Sequence, residues 1–277
     1  MKNVRIFTIA LVIMVLGVGS LAAQTSAATS LKGMSFSGST GLYSIPSGRV
    51  AWERTADVGL DIGYHLITGD SQTTHVPKVA LTLFKFLEMN FAADMQPAPP
   101  NDADSNSNAI IGIKFQFPQS TRAAVALGFN YQAHGVGADD RSDRYDDAGQ
   151  LYVAVTYPGK FFDWPAETTV VLGYTFYENH TNRGIDYGMG FDLVLLPSVF
   201  SNMVHWILDF SNFTYVNWPP YYALNSNRGY LNTGLRFNFA SIIRQPKFKF
   251  ALDILMTDAF DENRGFSFGG VFGVGLK

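Results

Sequence analysis

The 277-residue chain contains no cysteine, so no disulfide holds it together and no lipidated cysteine follows an export signal. It is also poor in positive charge. Removing Lys2 and Arg5, which lie in an N-terminal leader, leaves 18 of its 20 basic residues against 23 acidic ones, a balance of −5. Phosphate binding needs a basic surface, so nucleic acid is excluded as a partner. No second apolar run approaches the length of a membrane-spanning helix: the longest, 189–200, is broken by Asp192 and Pro197. No nucleophile motif is visible, and neither a cofactor nor a metal is expected.

The leader itself is legible. Lys2 and Arg5 precede an apolar run from Ile6 to about Val18, and small residues follow at Ser20, Ala22, Ala23, Ser26, Ala27 and Ala28. This is the pattern of a secretory signal peptide over residues 1–28, cleaved between 22 and 28. The apolar stretch is short for a retained span of roughly 20 residues.

Beyond the leader a two-residue beat dominates. Ala123, Val125, Leu127, Phe129 and Tyr131 alternate with Ala124, Ala126, Gly128 and Asn130; later, Leu231, Thr233, Leu235, Phe237 and Phe239 alternate with Asn232, Gly234, Arg236 and Asn238. Side chains of a strand point alternately to its two faces, so this pattern describes a sheet with one greasy and one wet side. Such segments recur near 55–66, 76–85, 87–96, 109–117, 121–133, 149–157, 168–178, 187–195, 203–214, 230–239, 247–257 and 266–276. Most run to about nine to twelve residues, close to the roughly 9–11 that a tilted strand needs to cross a bilayer.

The connections alternate in character. Those at 67–75, 97–108, 134–148, 179–186, 215–229 and 258–265 are mostly long and polar; those at 118–121, 196–202 and 240–246 are shorter and carry proline, with 158–167 a longer exception on the short side. Long loops at one end and tight turns at the other are the habit of outer-membrane barrels. Aromatics make up 14% of the chain, and many, including Tyr64, Tyr131, Tyr157, Trp164, Trp206 and Tyr230, fall near strand ends, as interfacial girdles do.

These features predict an all-β fold: a transmembrane, antiparallel, up-and-down β-barrel of about twelve strands (range about 10–14), residues 51–277, in the bacterial outer membrane. Placing the bulky face against lipid puts Asp61, His65, Lys78, Glu88, Asp94, Lys114, Asp192, Arg236, Lys249 and Asp253 in the lumen among many glycines. A charge at the bilayer midplane would cost about 2–4 kcal/mol for Arg or Lys, which supports that facing. The mixed charges describe either an internal salt-bridge network or the lining of a narrow pore. Residues 29–50, rich in glycine and serine, are compatible with a plug, an extra strand or a periplasmic tail.

Thr40-Gly-Leu-Tyr-Ser-Ile-Pro-Ser47, the glycine-punctuated Asp57-Val-Gly-Leu-Asp-Ile-Gly-Tyr64 and Phe86-Leu-Glu-Met-Asn-Phe91 resemble the opening of the YjbH-like outer-membrane β-barrel family over residues 38–95. The resemblance implies a non-enzymatic barrel linked to exopolysaccharide production or export, with no catalytic motif to carry over.

Other candidate sites are weak. His205 shares a strand face with Asp209 and Ser211, but six residues of strand hold His205 and Ser211 roughly 20 Å apart, too far for a nucleophile and its base. The Asp102–Asn108 loop lacks the glycine and glutamate of a calcium loop. The acidic run 139–147 is balanced in part by Arg141 and Arg144 and suits cations bridging lipopolysaccharide. The chain ends Phe272-Gly-Val-Gly-Leu-Lys277 without a terminal aromatic. The function expected is therefore a porin-like narrow channel or cell-envelope component. Its partners would be outer-membrane lipids and lipopolysaccharide, the barrel assembly machinery and, through the resemblance, polysaccharide. Two alternatives are a secreted soluble β-sandwich or lectin-like module and an outer-membrane lipid-modifying barrel enzyme.

Overall fold

In a computed structural model, the residues described are 33–69, 72–95, 107–118, 123–133, 147–177, 184–213, 229–243, 245–260 and 265–276. The proposed signal peptide, His134, His180, the 102–106 stretch and most of the acidic run 139–147 lie outside them.

Twelve strands form one closed antiparallel barrel in which each pairs with its sequence neighbours and the last returns to the first. They are β1 (Val58–Gly69), β2 (Gln72–Leu83), β3 (Leu87–Met95), β4 (Ser107–Gln116), β5 (Ala124–Ala133), β6 (Ala148–Phe161), β7 (Trp164–Tyr177), β8 (Gly184–Val194), β9 (Val204–Ser211), β10 (Tyr230–Asn238), β11 (Phe248–Thr257) and β12 (Gly265–Gly275). Two single-turn helices, α1 (Pro197–Phe200) and α2 (Ala240–Ile243), sit in the short connections before β9 and β11. Closure runs from Gly59↔Gly275 to Thr68↔Phe266. A closed up-and-down sheet leaves no edge around its circumference, so within the closed part of the wall the strands' backbone groups pair with one another without water. This rules out the two packed sheets of a soluble sandwich.

The beat sorts residues as a barrel in lipid requires. In β5, Leu127, Phe129 and Tyr131 are exposed while Ala126 and Asn130 are buried. Ile62, Met89, Ile113, Val153, Met189, Ile254 and Phe272 continue the apolar band around the circumference. No described helix is long and apolar enough to cross a membrane; the crossing elements are strands.

Two connections differ from their sequence reading. Residues 158–167 are not a long turn: β6 and β7 run on to a tight reversal at Phe162 and Asp163. Register explains how the strands tolerate Pro158 and Pro165. Pairing of β6 to β5 ends at Thr156↔Ala124, and pairing of β7 to β8 ends at Ala166↔Leu193. Beyond those points each strand has only one neighbour, and a missing N–H on the open side costs nothing. Likewise 67–75 is mostly strand, pairing to Gly69↔Gln72, and its threonines are polar because they extend past the greasy band. The wall itself begins at Val58 rather than at residue 51.

Candidate functional site: a lumen filled by the chain's own N-terminal segment

Residues 33–56 precede the wall and lie inside it except at the rim, where Arg54 and Thr55 are exposed. From Gly33 to Trp52 the segment is buried throughout, and it folds back on itself twice, bridging Met34 to Thr40 and Gly41 to Pro46. It is neither an extra wall strand nor a tail; it is a plug that extends to Ala56, beyond the segment's anticipated end at residue 50.

Apolar side chains of the plug fill places where the wall has no side chain. A Cβ on Gly59 would fall 2.2 Å from Cδ1 of Trp52, and on Gly275 it would fall 2.9 Å from Cζ3 of the same ring. Met34 lies against Gly63, Ile45 against Gly188 and Leu42 against Gly190, each within 2.8 Å of where a Cβ would stand. Glycine is needed there because backbone and plug approach closely. Phe36, Leu42, Tyr43 and Ile45 then pack with inward Val76, Ile110, Tyr152, Val171, Ile207 and Leu255 in one core.

Polar groups lock the plug to opposite walls. Glu88 accepts bonds from Thr40 N (2.8 Å), Thr40 Oγ1 (2.6 Å) and Ala51 N (3.3 Å). On the far side Asp209 accepts from Tyr43 N, Ser44 N and Ser44 Oγ, all at 2.8 Å. Lys114 donates to Thr40 O (3.0 Å) and Lys78 to Ser35 O (2.9 Å); Asn90 donates to Ser37 O (2.6 Å). Val50 N donates to Gln116 Oε1 (2.7 Å), and Gly48 N to Thr156 Oγ1 (2.9 Å). A looping segment with no sheet of its own has orphan backbone groups, and wall side chains satisfy them.

The ten sequence-predicted residues are all buried on the inward face. Lys249 meets Asp61 at 2.8 Å and His65 meets Asp253 at 3.2 Å. Each pair spans β12, reaching over Gly273 and Gly269 respectively, the residues registered between the partners. Lys114 pairs with its register partner Glu88 at 2.9 Å. Arg236, flanked in register by His205 and Asp253, clamps Asp253 through Nε (2.7 Å) and Nη2 (2.9 Å). Asp192 takes His205 Nδ1 at 2.5 Å and Arg236 Nη1 at 3.9 Å. Lys78 and Asp94 join the same interior, Lys78 through the plug.

Sequence reasoning missed Arg49, Glu53 and Glu167, and noted Asp209 only as a neighbour of His205, without its role in holding the plug. Glu167 and Asp192 stand directly opposite each other on β7 and β8, two acids in a dry interior. The plug supplies the missing cation: Arg49 is fully buried, 3.0 Å from Glu167 and 2.7 Å from Glu53. Extending the β7 alternation inward past Thr169 would have exposed Glu167, which was instead assigned to a turn. Of the weak enzyme candidates, His205 is engaged by Asp192 and by Asn202 O, while Ser211 Oγ bonds Ser44 Oγ at 2.8 Å. The structure does not bring them together. Among the described residues no cluster of three or more His, Asp or Glu is placed to hold a metal ion.

No protein-family model and no characterised protein sequence matches the chain. Among solved structures it resembles the KdgM porin, at 6% identity and a TM-score of 0.50, covering 78% of this chain and 99% of that one. It also matches the Acinetobacter baumannii outer-membrane protein Omp33, at 10% identity and a TM-score of 0.40, covering 80% and 100%. At such identities the likeness is one of fold. The closed twelve-strand wall and its greasy circumference are those of an outer-membrane β-barrel.

Proposed function

We propose that the protein is a non-enzymatic, self-plugged channel of the outer membrane, shut in the state described. The observation that carries this reading is the chemistry of the plug's attachment. Residues 33–56 are held by hydrogen bonds and ion pairs to Glu88, Asp209, Glu167 and Lys114, groups that water can solvate once the segment leaves. A lumen meant only to be filled would be served by apolar packing alone. The stretch resembling the YjbH-like barrels, 38–95, contains most of the plug together with β1–β3, including its anchors Asp61, Glu88 and Asn90. That resemblance supports a hydrated glycan chain as the material whose passage the plug controls, and with it a role in exopolysaccharide export.

Planar-bilayer recording tests it. The full chain should give a closed trace, and a variant lacking residues 33–56 should give steady conductance. A full chain that conducts as well as the deletion would show that the plug does not gate. A silent deletion variant, with folding confirmed by gel heat-modifiability, would make the barrel a structural envelope component. Oligosaccharides of the exported polymer should block the deletion variant's current.

A further inference from the structure

The short-turn end of the barrel carries large apolar side chains where an aqueous periplasmic surface would carry polar ones. Every short connection has them: Phe84 before β3, Phe117 after β4, Phe162 between β6 and β7, Val199 in α1 and Ile242 in α2. All are exposed, Phe162 at 82% and Val199 at 66%. Two occupy backbone conformations that disfavour them. Phe84 and Phe162, at φ 56° and 48°, begin tight reversals in the left-handed region, where asparagine or glycine sits easily and a bulky side chain does not. Phe84 and Phe162 each meet one neighbouring ring, Phe86 and Phe161, yet stay mostly exposed, so the protein's own packing offsets little of the strain and the rest of the compensation lies outside the chain.

We infer that this end is immersed in the phospholipid leaflet of the membrane, its turn tips reaching the headgroup and upper acyl region instead of standing in the periplasm. Two further observations select lipid as the occupant. The apolar tips form a ring around the circumference, as a bilayer surrounding the barrel requires. They are also continuous with the lipid-facing band: Phe84 stacks on Phe86, Phe86 meets Phe115 edge-on, and Phe115 meets Phe117. Charge agrees. Among the described exposed residues at this end, Arg54, Lys85, Lys160 and Lys247 outnumber Asp57 and Asp163. Cations beside interfacial aromatics complement phospholipid phosphates.

Because the chain has no cysteine, single spin labels read this directly in phospholipid vesicles. Labels at Phe162→Cys and, separately, Val199→Cys and Ile242→Cys should collide with dissolved oxygen in preference to a water-soluble nickel chelate. Their ratio should lie well above that of free label in buffer and below that of a label at lipid-facing Ile113→Cys, which sits deeper in the apolar band. Each variant is checked for folding by heat-modifiability, and any one that folds suffices. Ratios near that of the free label at the folded positions would overturn the inference and leave the ring available to a periplasmic protein. Reversing Lys85, Lys160 and Lys247 to glutamate should lower the ratio in anionic vesicles more than in zwitterionic ones. An equal effect in both would remove the electrostatic part of the argument.

Discussion

Arg49 explains why two acids can face each other in the wall. Glu167 and Asp192 are register partners, and close like charges in a water-poor interior oppose folding. The wall's own partners reach only one of them, since the Arg236 guanidinium and the His205 ring both lie on the Asp192 side. Glu167 depends on Arg49 from the plug, which also holds Glu53. Removing one partner of a buried pair strands the other's charge, at a cost of about 3–5 kcal/mol. Arg49→Ala should therefore lower the urea midpoint of the refolded protein, and adding Glu167→Gln should restore part of the loss. If the double variant is no more stable than the single, compensation of Glu167 is not what Arg49 provides.

At the scale of elements, the relation between plug and wall is one of knobs and glycine sockets. Gly59, Gly273 and Gly275 on the paired strands β1 and β12 together make the bed for the Trp52 ring. Gly59→Ala puts a methyl into that rigid ring and should cost about 1–3 kcal/mol by overpacking, whereas Trp52→Ala should cost about 3–5 kcal/mol by leaving the socket empty. In the Trp52→Ala background the Gly59→Ala penalty should vanish, a coupling that a double-mutant cycle on urea midpoints measures. Additive effects would mean that the indole does not fill that socket in the membrane. On the opposite face of β10, Leu235 lies in the apolar band. Leu235→Arg should destabilise the barrel in bilayers by about 2–4 kcal/mol if it sits near the midplane. A change within error would place it outside the hydrocarbon.

As a whole molecule, the protein is a cylinder stabilised from both sides: lipid covers its outward rings, and the plug covers its inward charges. The wall is self-sufficient in backbone hydrogen bonds because it closes on itself, and much of its interior charge is paired within the wall, as in Lys249–Asp61 and Arg236–Asp253. The variant lacking 33–56 used for conductance should accordingly still fold, with Glu88, Asp209 and Glu167 hydrated in the emptied lumen. It should migrate as a heat-modifiable species with a lower urea midpoint than the full chain. Failure to fold at all would mean that the segment nucleates the barrel as well as filling it.

The wall was legible in the sequence because a strand's side chains alternate with a period of two wherever one face meets lipid and the other does not. That periodicity alone places β5 and β10 within a few residues and turns Arg236, Asp253 and Lys114 inward. It misread 158–167 because two prolines look like a turn until register shows that each strand has a free side there. The interior needed the tertiary structure. Residues 33–56 have no periodicity, being shaped by the wall they fit, so nothing local in Gly41-Leu42-Tyr43-Ser44 indicates Asp209 across the lumen. The pairing of Lys249 with Asp61 likewise depends on closure, which brings the first and last strands together around Gly273. Periodicity is a property of neighbouring residues and determines the cylinder; what fills it is decided by contacts between residues far apart in the chain, which only the closed barrel creates.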